Sequence, residues 1–243
     1  MNFTDFYSLY CDIFQQNKLD RFCNEEIAHQ FYRFTELLIQ ENSHTNLTAI
    51  REIPDIISKH YADCLLAEPH FTIGAKVLDM GCGGGFPTIP LAIARPDLSI
   101  TAVDSTQKKI NFVEKAASLL ELHNVTPLCA RAESEELRKH YETFDIVTSR
   151  AMARLSVLLE LTFPFARIGG TLIALKGAKA QSEIEEAQNA VLILSGSSEI
   201  TDAECKLLTP EESEQRHILT IKKNRKTPPQ YPRNYSTITK KPL

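Results

Sequence analysis

The stretch VLDMGCGGGFPTIPLAIARP, residues 77–96, decides how this chain is read. It runs from an apolar strand through four glycines in five positions, Gly81, Gly83, Gly84 and Gly85, into an apolar helical segment. Glycines let the backbone turn sharply and let a ligand lie against main-chain atoms, and a helix starting after them offers unpaired N–H groups. A dinucleotide fingerprint, GxGxxG, needs a glycine at position 86, which is Phe86. A phosphate-binding P-loop needs Gly-Lys-Ser/Thr, and no lysine occurs between Lys76 and Lys108. Nicotinamide binding and nucleotide hydrolysis are both disfavoured. What remains is DxGxGxG, opened by Asp79.

Downstream of this loop, short apolar strands alternate with helical stretches, the pattern of βαβ units around a parallel sheet. Strands are predicted at residues 76–80, 99–103, 126–130, 144–149 and 171–175. Crossover helices are predicted at 89–95, 107–121, 133–141, 155–166 and 181–194, and a closing pair of strands at 199–207 and 216–222. Right-handed crossovers then impose an α/β doubly wound sheet, mostly parallel with an antiparallel C-terminal strand. Asp104 ends the second strand, where an acid can accept both hydroxyls of an adenosine ribose. Asp79 sits where an ammonium group would be welcome, because a carboxylate restores the charge balance lost on desolvation. Taken singly, Asp79 reads equally as a capping acid and the glycines as a tight turn; loop, strand order and Asp104 together point to a cofactor site.

Upstream, Phe3, Phe6, Tyr10 and Ile13, then Ile27, Phe31, Phe34 and Leu38, recur at helical spacing. Two amphipathic helices, a polar loop over Glu41 to Thr48 and a third helix from Pro54 to Leu66 are expected. The organisation is then a helical cap at 1–70, a cofactor-binding domain at 71–223 and a basic tail at 224–243, the tail extended and mobile unless bound.

The 243 residues are 43% hydrophobic and 24% charged, an ordinary globular composition. No apolar run approaches the roughly 18 residues a membrane-spanning helix requires, and the N-terminus lacks the basic head of a secretion signal. A cytoplasmic protein without a membrane partner is expected. Six scattered cysteines without a CxxC pair suggest reduced thiols and no metal site. The net charge of −4 conceals an asymmetry: residues 222–243 carry seven basic residues and no acid, leaving 20 basic against 31 acidic residues before them. Such a segment attracts polyanions, although it also serves as a solubilising tail.

Several segments together, DMGCGGGFPTIPLAI, VDSTQKKINFV, RAESEE, SRAMA and ALKG, preceded by NLTAIRE and KHYADC, resemble the RsmG (GidB) family of small-subunit ribosomal RNA guanine-N7 methyltransferases. The resemblance runs from about Asn46 to the C-terminus. It implies a class I methyltransferase fold, S-adenosylmethionine as cofactor and the small ribosomal subunit or its 16S rRNA as partner, with N7 of guanine 527 as target. It further implies that Gly81, Gly83 and Phe86 approach the cofactor, that Ala132 and Glu133 flank its adenine, and that Arg150 lies near its methionine end, beside Asp79 and Asp104. Thr88 stands where the family usually has a glycine, and Cys82 where it has Ser, Thr or Ala; both are small, so backbone approach to the cofactor survives.

The chemistry of the target bears on what else the chain needs. Methylation of an exocyclic amine calls for an Asn/Asp-Pro-Pro-aromatic clamp at the end of the fourth strand, where this chain has SRAMA. Pyrimidine C5 attack needs a cysteine nucleophile, which neither SRAMA nor ALKG supplies. Guanine N7 has an in-plane lone pair and no proton to lose, so transfer is an in-line displacement assisted mainly by alignment. No catalytic acid or base is assigned. Sequence-specific RNA recognition targets unpaired loops; candidate phosphate contacts are Arg154, Lys176, Arg216, Lys222, Lys223 and Arg233, with Arg51, Lys59, His60, Arg131, Lys179 and His217 as further candidates. Tyr231 and Tyr235 are candidates for stacking on bases. A monomer is expected. The rival reading is a non-catalytic RNA-binding assembly factor that retains the cofactor fold.

Overall fold

The computed structural model describes residues 1–243 and holds a seven-stranded sheet in the order β3-β2-β1-β4-β5-β7-β6. The strands are β1 (Lys76–Met80), β2 (Ser99–Asp104), β3 (Val125–Cys129), β4 (Phe144–Arg150), β5 (Ala166–Lys176), β6 (Thr201–Leu208) and β7 (Ser213–Lys222). The first five are parallel; β7 runs antiparallel to β5, and β6 antiparallel to β7. Strand order reverses between β1 and β4, and the carboxyl ends of strands at such a switch point open a crevice that no crossover covers. The glycine loop leaves the sheet there.

Both faces of the sheet are buried, so the strands read as apolar runs with a period of two between two cores. Val77, Ile146 and Ile173 point into a core of 42 buried residues; Leu78, Val147 and Leu172 point into a second of 25. The first core is shared with α1 (Phe3–Gln16) and α2 (Glu25–Thr45), so the N-terminal helices are built into the sheet's own packing. Phe6, Tyr10, Phe14, Phe31 and Phe34 are all fully buried in it. Asn2 and Asn24 cap the two helices by accepting from the N–H groups of Asp5 and Ile27.

Four sequence expectations are corrected. The polar stretch from Glu41 is helical through Thr45, and the chain turns only at Asn46, in the left-handed conformation. Asn42 explains this: its side chain donates to Thr48 O (2.8 Å) and accepts from Thr48 N (3.0 Å), closing the turn from within the helix. The helix expected over 133–141 is only a short 3-10 segment, Glu135–His140, because Leu137 alone among its residues is buried and no apolar stripe exists to seat a longer helix. The helix at 53–65 is α-helical at its ends and π-wound over Ile56–Ala62. Finally, the basic tail is not extended: it folds back on the second core, ends in a helix at Tyr235–Lys240 and buries Ile238 completely.

Candidate active site

The loop after β1 is pulled toward β2 by two backbone bonds, from Gly81 N and Cys82 N to Val103 O (2.8 and 2.9 Å). At two of its glycines a side chain would be strained by the left-handed backbone and crowded by a neighbour. Gly81 has φ +80°, and a Cβ there would meet Met152 Cγ at 3.0 Å; Gly85 has φ +86°, and a Cβ would lie 2.7 Å from Ile89 Cγ1. Gly83 donates its N–H to Asp104 Oδ2 (3.1 Å), while Thr106 N donates to Oδ1 (2.9 Å). Asp104 is thereby locked at the end of β2, and each oxygen retains a second acceptor position. Lys109 Nζ lies 3.6 Å from Oδ2 and balances its charge.

Asp79 is fully buried. Its Oδ2 accepts from the Thr88 hydroxyl at 2.6 Å, and its Oδ1 has no partner. Burial pushes its pKa up to about 7 against the restraining hydrogen bonds from Thr88 and the nearby charge of Arg150. A buried carboxylate oxygen left without a donor is costly unless a ligand supplies one. Thr88 therefore does more than tolerate a small-residue position: it holds Asp79 in place. The residues fit a ligand carrying an ammonium group at one end and vicinal hydroxyls at the other.

A cleft of about 390 Å³ opens beside them. Of the residues predicted to bind cofactor, Gly81, Asp104, Ala132 and Glu133 line it. Gly83 acts through Asp104, and Asp79, fully buried at the end of β1 next to the lining residues Met80 and Gly81, is not itself exposed to the cleft. Phe86 is not on that wall; it is 6% exposed and packs among Phe34, Tyr61 and His60, stacking on the imidazole at 4.2 Å. Met152 and Lys109, which sequence reasoning missed, also line the cleft, as does Tyr235, which the sequence offered as a stacker on RNA bases. SRAMA contains Met152, but no spacing rule marks it as the residue that presses on Gly81.

Arg150 belongs to a second cleft, which shares Ala151 and Met152 with the first. Ala151 has φ +56°, an unfavourable conformation for a residue with a Cβ and one that recurs where geometry is functionally constrained. Arg150 donates to Lys59 O (3.0 Å), Asp63 Oδ2 (2.9 Å) and His60 Nδ1 (3.0 Å) and lies 5.3 Å over the Phe86 ring. A guanidinium has no acceptor, so His60 Nδ1 must accept and Nε2 carries the proton, donated to Thr48 Oγ1 (2.8 Å). Burial first, then the Arg150 charge, lowers the His60 pKa to about 3, so the ring is neutral. His60 and Asp63 are joined through Arg150 and not to each other.

The predicted RNA contacts fare unevenly. Lys222 is exposed, and Arg154 is an exposed partner of Glu186. Lys176 donates to Ala153 O (2.6 Å) and pairs with Glu183 (2.7 Å), on the floor of the second cleft. Arg216 pairs with Asp63 and Glu214 in the same cleft. Lys223 must be withdrawn as an RNA contact: strand alternation turns it inward next to exposed Lys222, it is fully buried, and its ammonium donates to Phe163 O (2.8 Å) and Ala166 O (2.7 Å). Arg233 is likewise consumed, by a two-pronged pairing with buried Glu160. His217 is 4% exposed and bonded to Asp202. With Glu204, these two bring ligand atoms within 4.8 Å of one another on the β6–β7 ribbon, but the acid and imidazole already satisfy each other.

Against known proteins, the family GidB, described as rRNA small subunit methyltransferase G, matches residues 27–218. The ribosomal RNA small subunit methyltransferase G of Bacillus cytotoxicus is 44% identical over 217 residues, covering 88% of this chain and 90% of its own length. That of an Exiguobacterium species is 42% identical over 223 residues, covering 90% and 92%. In architecture the chain is similar to an O-methyltransferase from Bacillus cereus solved in complex with SAH, with a TM-score of 0.55 at 17% identity over 78% of this chain and 91% of that one. A predicted O-methyltransferase from Agrobacterium tumefaciens gives 0.53 at 17% identity, over 68% and 82%.

Proposed function

Since the chain belongs to the family of rRNA small subunit methyltransferase G, we propose that it uses S-adenosylmethionine to methylate N7 of a loop guanine of 16S rRNA, guanine 527 by resemblance. The observation that carries the reading is the pair of buried carboxylates at the ends of β1 and β2, one of them, Asp79, with an oxygen that nothing in the chain satisfies. When bound, S-adenosylmethionine supplies a methyl group on an electrophilic sulfonium.

The chain's own groups have the following parts. Asp104 accepts the ribose hydroxyls with the acceptor positions left over from Gly83 and Thr106. Asp79 receives the ammonium on Oδ1, with Thr88 fixing its other oxygen. Met152 separates this cleft from the one lined by Lys59, Arg150, Lys176 and Arg216, through which the base enters. Arg150, anchored to three groups of the 53–65 helix, shapes that entry and keeps positive charge near the junction. No residue acts as a base: N7 holds no proton, His60 is neutral and bonded on both sides, and proximity and alignment supply the rate. Exposed Lys222, Lys226, Lys240 and Lys241 pair with no acid and are available to phosphates.

Purified protein incubated with labelled S-adenosylmethionine and small ribosomal subunits should yield 7-methylguanine in a nuclease digest of the 16S rRNA, identified by mass spectrometry. Tight, salt-sensitive RNA binding with no methylated product would instead favour the assembly factor. Absence of transfer to both naked RNA and subunits would reject the enzyme.

A further inference from the structure

The tail that sequence assigns to RNA is fastened beside the glycine-loop cleft. Arg233 donates from its backbone N and from Nε to Glu160 Oε1 (both 2.8 Å) and from its terminal nitrogen to Oε2 (2.6 Å). Glu160 is fully buried, and Arg233 is its only ion-pair partner. A buried carboxylate whose one counter-ion departs is strongly destabilised, so this clasp is held shut. Asn234 then caps the terminal helix, accepting from Thr237 N (3.0 Å), and Ile238 plugs the second core at zero exposure. Between these two anchors stands Tyr235, 45% exposed, on the wall of the cleft that holds Asp104 and Glu133.

From this placement we infer that Tyr235 is a cofactor-binding residue: the C-terminal segment completes the adenosine pocket, and Tyr235 packs its ring on the purine. The inference rests on the cleft being the S-adenosylmethionine site. Three features favour a purine as the occupant. The ring is aromatic and half wet, in a cleft that mixes apolar side chains such as Val103, Ala132 and Leu161 with polar ones such as Asp104 and Glu133, which suits a flat π-surface with a solvated edge. Its position is fixed from both sides, by the Arg233–Glu160 clasp and by Ile238, so little entropy is lost when it is covered. It lines the same cleft as Asp104, proposed to hold the ribose, and as Ala132 and Glu133, which the family resemblance places beside the adenine. The basic segment thus serves the cofactor with Tyr235 and leaves its exposed lysines to RNA.

The chain contains no tryptophan, so Tyr235→Trp places a single fluorophore on this wall. S-adenosylhomocysteine, titrated into the full-length protein, should quench its emission. By calorimetry, Tyr235→Ala should bind S-adenosylhomocysteine about tenfold or more weakly, in line with the stacking energy of one base on an aromatic side chain. Tyr235→Phe should stay within about threefold of wild type, and thermal unfolding of all three variants without ligand should match wild type. Unchanged affinity in Tyr235→Ala together with an unquenched tryptophan would overturn the inference, while the cofactor site stands if Asp104→Ala still abolishes binding. Loss of rRNA affinity alone in Tyr235→Ala would overturn it as well, returning the ring to RNA. Failure of the wild-type protein to bind S-adenosylhomocysteine would remove the cofactor reading and this inference with it.

Discussion

Asp79 answers two opposed demands. Burial favours its neutral form, and the ammonium it is proposed to receive requires the charged one; the Thr88 hydroxyl and the charge of Arg150 tip the balance back and leave its pKa near 7. In the folded protein Asp79 therefore binds a proton more tightly than in the unfolded chain, where its pKa is near 3.8. Its favourable contribution to stability is complete below about pH 4 and is lost as pH rises through about 7. Cofactor binding runs the other way. An α-ammonium stays charged up to nearly pH 8, so affinity for S-adenosylmethionine should climb as pH rises toward 7 and level off above it, by at most about tenfold per pH unit. Asp79→Asn should flatten that profile in calorimetric titrations, and Thr88→Val should displace its midpoint upward by removing a donor to the carboxylate. A profile that Asp79→Asn leaves unchanged would deny Asp79 the role. Sequence shows Asp79 and Asp104 readily, because each ends a strand and a motif of fixed spacing joins the first to the glycines. Met152, Lys109 and Tyr235 reach the same cleft from three separate segments, and only tertiary folding brings them together.

At the scale of elements, the central parallel strands are legible because burial on both faces makes them short apolar runs between polar loops, whereas edge strand β3 has no fully buried residue. Elements whose ends depend on side-chain hydrogen bonds are not. Asn42 prolongs α2 through a polar stretch, and the terminal helix forms because Arg233 finds Glu160, 73 residues away. Asn17 illustrates the same limit. Placed at the end of α1, it donates to Leu208 O (2.9 Å) and accepts from Leu208 N (2.8 Å), joining the first helix to the edge strand β6 across 191 residues. Asn17→Ala leaves both backbone groups of Leu208 without that partner and should cost about 1–3 kcal/mol in denaturant unfolding. Cofactor affinity should be unaffected, because the contact is remote from the glycine loop. A variant as stable as wild type would show that α1 is held by its apolar face alone.

Across the whole molecule, charge and core divide the work. One core carries the N-terminal helices, and Lys59, His60 and Asp63 on the 53–65 helix reach from that side to Arg150 at the end of β4. The other core holds the folded tail. Many of the basic groups that sequence offers to RNA are engaged internally: Lys223 by the carbonyls of Phe163 and Ala166 with Glu142 3.7 Å away, Arg233 by Glu160, Arg216 by Asp63 and Glu214. The crevice at the strand-order reversal is where these arrangements converge, with the cofactor cleft on one side of Met152 and the cleft of Arg150, Lys176 and Arg216 on the other. That convergence is tested most directly by a crystal structure of the protein with S-adenosylhomocysteine. The ligand should lie along the glycine loop with its ribose hydroxyls on Asp104 and its ammonium on Asp79 Oδ1. Density for it elsewhere on the chain, or in the cleft with neither carboxylate engaged, would contradict the account.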